Sequence, residues 1–129
     1  MRPSDVQEKA IEVAATLPAA TLEHPFGPEW DVFKVGGRVF LIVTELRGEG
    51  IVVLKCEPEH SAALRAGNPA VTPGYHMDKR HWITLHGTTG MTAELVDDLV
   101  SNSYELVVAK LPARNQPVDP RRRREEEMR

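Results

Sequence analysis

Trp30 to Cys56 reads WDVFKVGGRVFLIVTELRGEGIVVLKC, a run dense in Val, Ile, Leu and Phe and cut at Gly36-Gly37 and again at Arg47-Gly48-Glu49-Gly50. Branched and aromatic residues between glycine-rich breaks predict a meander of three antiparallel strands. A two-residue turn at Gly36-Gly37 sets Val35 opposite Arg38, Lys34 opposite Val39 and Phe33 opposite Phe40. One face then carries Trp30, Val32, Lys34, Val39, Leu41 and Val43. The other carries Asp31, Phe33, Val35, Arg38, Phe40 and Ile42. Both are largely apolar, so helices, a partner or a second copy should cover each side. A bulge would shift this register.

Before the meander, Ser4 and Gln7 have the spacing of a capping box, and Val6, Ala10, Val13, Ala14 and Leu17 recur at helical spacing, which predicts a helix over 5–17. Prolines 25 and 28 with Gly27 predict an ordered loop over 21–28. After the meander, Pro58 and Gly67 bracket a short helix through Ala62, Ala63 and Leu64. His81 to Leu85 alternates as a strand does, with Val71 to His76 a short partner. Thr92 is placed to cap a final helical region striped by Leu95, Leu99, Val100, Val107 and Leu111, which Asn102-Ser103 divides into two helices. The expected order is α-β-β-β-α-β-β-α-α, an α+β fold over residues 1–112. From 113 to 129 the periodicity stops. Arg121 to Arg124 would stand near a helix start and Glu125 to Glu127 near its end, against the macrodipole, so this polar segment is expected to form a flexible tail.

A chain of 129 residues is long enough to bury a core without staples. With Cys56 as its one cysteine, it forms no internal disulfide and suits a reducing compartment. No secretory signal or membrane-length apolar run is present. A cytoplasmic protein away from membranes is expected. The net charge of −3 divides unevenly. Through Pro112 there are ten basic against fifteen acidic residues, a net of −5, and the remainder carries six against four, a net of +2. An acidic body argues against general coating of nucleic acid, whose affinity comes from neutralising phosphates, so any such role needs a local basic patch.

Several strings fall in one order: Glu23-His-Pro-Phe-Gly27, Val32-Phe-Lys-Val35, Gly37-Arg38, Leu54-Lys-Cys56 with Pro58-Glu59, Leu64-Arg65, Pro73-Gly-Tyr-His76, Lys79-Arg-His-Trp82 and Ser103-Tyr104 with Leu106-Val107. Together they resemble the MmcQ/YjbR-like family through nearly all of residues 1–112. The resemblance implies an antiparallel sheet with helices, similar to secretion-chaperone-like folds. It also implies DNA binding, because the fold resembles a double-wing domain of a phage transcription factor; that is an analogy between folds. It brings no reaction and no cofactor.

Candidate chemistry is sparse. Histidines 24, 60, 76, 81 and 86 with Cys56 lack the spacing of a zinc site and are read as loop residues held by hydrogen bonds, with no metal. Cys56 ends an apolar strand and is read as buried and inert. No serine elbow, phosphate loop or dinucleotide fingerprint is present, so no enzyme is expected and no cofactor is called for. The set that stands out is Lys34, Arg38, Lys55, His76, Lys79, Arg80 and His81, with Tyr75 and Trp82 among them. Basic and aromatic types together can meet phosphates by charge and bases by stacking. Equally, strand lysines are often solvated edge residues, and Tyr75 and Trp82 fit against a core. The first functional expectation is DNA binding through this surface. The others are a protein-interaction module or homodimer, and a pocket for a small anion near Lys34, Lys55 and His76.

Overall fold

The computed structural model describes residues 1–117. In chain order they form α1 (Pro3–Thr16), β1 (Thr21–Glu23), β2 (Asp31–Val35), β3 (Arg38–Leu46), β4 (Glu49–Lys55), α2 (Pro58–Gly67), β5 (Val71–Pro73), β6 (Trp82–His86) and α3 (Ala93–Ala109), then a 3-10 turn at Ala113–Asn115. The six strands make one antiparallel sheet in the order β1-β2-β3-β4-β6-β5. The class is the expected α+β, and two details of the order differ. Thr21–Glu23 is a short edge strand instead of loop, with Thr21 opposite Lys34. The C-terminal helix is continuous through Asn102-Ser103. Most of the segment expected to be a tail, residues 118–129, lies outside the described residues.

The glycine pair does turn the chain as its sequence suggests. Gly36 and Gly37 both have positive φ, 57° and 77°, the left-handed pair that a tight hairpin requires. Val35 faces Arg38 and Lys34 faces Val39, but a bulge then sets Phe33 opposite Leu41 instead of Phe40. Phe40 and Leu41 therefore both join the helix-side core, with Phe33, Val35 and Val43. Ile42 goes to the opposite face with Val32. One extra residue flips every later side chain, so Leu41, Ile42 and Val43 exchange the faces expected of them.

Helices α1 and α3 pack on each other and on the centre of the sheet. Their buried residues are Val6, Ala10, Val13 and Ala14 from α1, and Val96, Leu99, Val100, Ser103, Tyr104 and Val107 from α3. The start of α1 differs from the expected capping box. Arg2 is the cap, and the Asp5 carboxylate accepts from the Arg2 backbone N–H at 3.2 Å. Gln7 instead donates to the carbonyls of Thr44 at 2.7 Å and Ile51 at 3.3 Å, tying α1 across β3 and β4. Thr92 caps α3 as expected, accepting from the Leu95 N–H at 3.1 Å.

Loop residues Trp30, Tyr75 and Met77 cover part of the second sheet face, and no helix packs there among the described residues. Val32, Ile42, Ile51 and Val53 are buried beneath half-buried Trp30, Val39, Leu46, Tyr75, Met77 and Trp82. The loop over 74–81 is held close. The Gly74 N–H donates to the Trp82 carbonyl at 2.9 Å, and a β-carbon on Gly74 would stand 2.5 Å from that of Trp82. Only glycine fits there. Among the described residues no helix is long and apolar enough to cross a membrane.

Candidate anion-binding site

The hairpin, the end of β4 and the start of β6 meet at one end of the sheet. Arg38 opens β3 beside the glycine turn, and Lys55 closes β4 directly opposite Trp82, the first residue of β6. The last turn of α3 reaches the same end with Val107, and Lys110 follows as its C-cap. These residues and Val39 line a pocket of about 250 Å³. That is below the range of roughly 300–1,000 Å³ typical of sites for drug-sized ligands. It suits a ligand of few atoms.

Lys55 is fixed by its own backbone. Its N–H donates to Ser103 Oγ at 2.9 Å, and that hydroxyl donates onward to the Phe40 carbonyl at 2.6 Å. Ser103 is fully buried, so α3, β3 and β4 are joined at one point under the pocket. Partial burial, then the cations of Lys110 and Arg38, push the Lys55 ammonium below the ordinary lysine value. The sign follows from the charge. A medium that disfavours a cation and neighbours that repel it both favour the neutral amine, and an anion placed among the three would reverse that. Among the described residues, no carboxylate forms an ion pair with Arg38, Lys55 or Lys110.

The rest of the sequence-derived set lies elsewhere. Lys34 pairs with Glu23 on β1 at 3.4 Å. Lys79 donates to the Gly74 carbonyl and so closes its own loop. His81 contacts Asp78 at 2.7 Å, and the Arg80 N–H donates to the same carboxylate at 2.9 Å. Those bonds, Arg80 first, hold the Asp78 carboxyl below its usual value. His76 is exposed with a positive φ of 59° and lies against the Tyr75 ring at 4.1 Å. Tyr75 in turn stacks on Trp30 at 6.3 Å, and Trp30 meets Phe26 edge-on at 6.0 Å. Of the seven residues singled out, Arg38 and Lys55 line the pocket, and Trp82 joins them while also packing on the second-face core. Lys110 was missed. Its signal was the spacing Val107-Lys110, three residues apart on one helix face, visible once α3 is taken as unbroken.

The YjbR family profile matches residues 15–106. The chain belongs to the YjbR family. YbdF of Escherichia coli O157:H7, described as uncharacterized, is 40% identical over 116 residues, covering 90% of this chain and 95% of its own. YjbR of Escherichia coli K12, also described as uncharacterized, is 33% identical over 79 residues, covering 61% of this chain and 67% of its own. The crystal structure of Deinococcus radiodurans protein DR2400, with a DUF419 domain, has a TM-score of 0.74 at 33% identity over 81% of this chain and 80% of that one. A Pseudomonas syringae crystal structure has a TM-score of 0.66 at 25% identity, covering 77% of this YjbR-family chain and 96% of its own.

Proposed function

We propose that this YjbR-family chain binds a small anionic ligand in the pocket of Arg38, Lys55 and Lys110, with Trp82 and Val39 as its apolar walls. One observation carries the reading. Three cations gather around a pocket without an ion-pair partner among the described residues, in a chain whose net charge is −3. Bringing like charges together is unfavourable unless something offsets it, and a bound carboxylate or phosphate does so with charge-assisted hydrogen bonds. Arg38 supplies a planar fork for such a group, and the lysines supply point charges.

Duplex DNA, the first expectation from the sequence, has less support. A duplex is held by a row of cations along its backbone, whereas Lys34 is paired with Glu23 and Lys79 with its own loop. The two ligands separate in one experiment: titration at low salt with pyrophosphate and with duplex and single-stranded oligonucleotides. Small-anion binding should be lost in Arg38→Ala and Lys110→Ala and kept in a Lys34→Ala, Lys79→Ala double variant. If instead an oligonucleotide binds with a log–log salt slope of roughly −3 to −4, as three or four phosphate contacts give, and the double variant abolishes it, the ligand is DNA.

A further inference from the structure

We propose that Lys55 captures the carbonyl carbon of a small 2-oxo acid as a Schiff base, while Arg38 and Lys110 hold the adjacent carboxylate. This rests on the anion-site reading and adds a chemical step to it. Among the lysines of the described residues, Lys34 and Lys79 have partners in Glu23 and the Gly74 carbonyl, Lys9 pairs with Glu12 at 3.6 Å, and Lys110 is exposed. Lys55 alone among them is half-buried and lines the pocket, which it shares with Arg38 and Lys110, and Trp82 is its partner on the neighbouring strand. A lysine becomes a nucleophile when it spends time as the free amine, and desolvation beside another cation is the arrangement that achieves this. Its ammonium is displaced toward the amine by burial and by Lys110 and Arg38. The Ser103 hydroxyl holds the Lys55 backbone from which the side chain leaves.

The same neighbours choose the partner. An anionic group on the carbonyl compound meets Arg38 and Lys110, and in a 2-oxo acid the carboxylate is bonded directly to the reacting carbon. The small pocket favours that compactness. In the step itself, the Lys55 Nζ lone pair forms the N–C bond as the carbonyl π pair moves to oxygen. That oxygen takes one proton from the nitrogen and one from solvent and leaves as water, and the iminium remains.

The test uses the full chain with pyruvate and cyanoborohydride, which reduces any iminium to a stable secondary amine, read by peptide mass mapping. Lactate, with the same carboxylate and no carbonyl, serves as competitor and as a non-reacting ligand followed by tryptophan fluorescence. Lys55 should be labelled several-fold faster than Lys9, Lys34, Lys79, Lys110 or the N-terminal amine. The labelling should be suppressed by lactate, weakened in Arg38→Gln and absent in Lys55→Arg, a variant that keeps the positive charge. If lactate perturbs the tryptophan fluorescence but pyruvate labels all amines alike or none, the Schiff-base step is wrong and the anion site stands. If neither compound perturbs the fluorescence and Lys55 is not labelled preferentially, both fall.

Discussion

Replacing Phe40 by alanine should lower the unfolding free energy by about 3–5 kcal/mol, the cost usual for emptying a buried aromatic position. Phe40 is wholly inaccessible to solvent. Its ring meets Tyr104 edge-on at 5.4 Å and lies 6.4 Å from Phe33. It is also the residue that the bulge turns inward beside Leu41, so α3 rests on it and cannot follow a smaller side chain without losing its other contacts on β3 and β4. Small domains hold only about 5–15 kcal/mol in total. The variant should therefore melt far below wild type or fail to accumulate folded. Urea unfolding of both proteins gives the number. A difference under about 0.5 kcal/mol, the scale of an ordinary surface change, would show that α3 does not pack on Phe40.

Ser103→Ala should also cost stability, and it acts on the pocket directly. The substitution removes only the hydroxyl that accepts from the Lys55 N–H and donates to the Phe40 carbonyl. The buried Phe40 carbonyl and the part-buried Lys55 N–H lose that partner, each at about 1–3 kcal/mol, so a loss of roughly 2–6 kcal/mol is expected. With its backbone released, Lys55 should also hold an anion less well. Denaturant unfolding and anion titration on one preparation report both effects. Unchanged stability would mean that the serine is no more than a tolerated polar residue in the core. Lost stability with unchanged anion affinity would detach Ser103 from the site.

The meander was readable because Gly36-Gly37 is free to take the positive-φ pair that a two-residue hairpin turn needs, and the flanking residues favour strands. Its register was not. Phe40, Leu41, Ile42 and Val43 are all apolar, so no polar residue in that run marks which side faces solvent, and a bulge leaves no trace in composition. The strand Thr21–Glu23 escaped notice for a related reason. It is three residues long, exposed throughout and close to two prolines, and its strand character comes only from pairing with β2. Ser103 looked like a helix breaker, a fair reading of its propensity. Tertiary structure overrides it, because the hydroxyl bonds across to two strands. The site was half legible for the same reason. Arg38 and Lys55 lie on strands whose pairing the sequence suggested, whereas Lys110 arrives from a helix 55 positions after Lys55. His76, Lys79, Arg80 and His81 share a short stretch of chain with Trp82, but the loop directs them to internal partners or to solvent.

If Arg38, Lys55 and Lys110 form one anion site walled by Trp82, a two-dimensional amide and indole NMR titration of the full chain with pyrophosphate at low salt will show it. The indole of Trp82 and the amides of Arg38, Val39, Lys55 and Lys110 should shift together along one saturating curve, weakened by added salt. The indole of Trp30 and the amides of Lys34, Lys79 and His81 should stay in place. No saturating shift at the first group, or equal shifts at both, would contradict the claim.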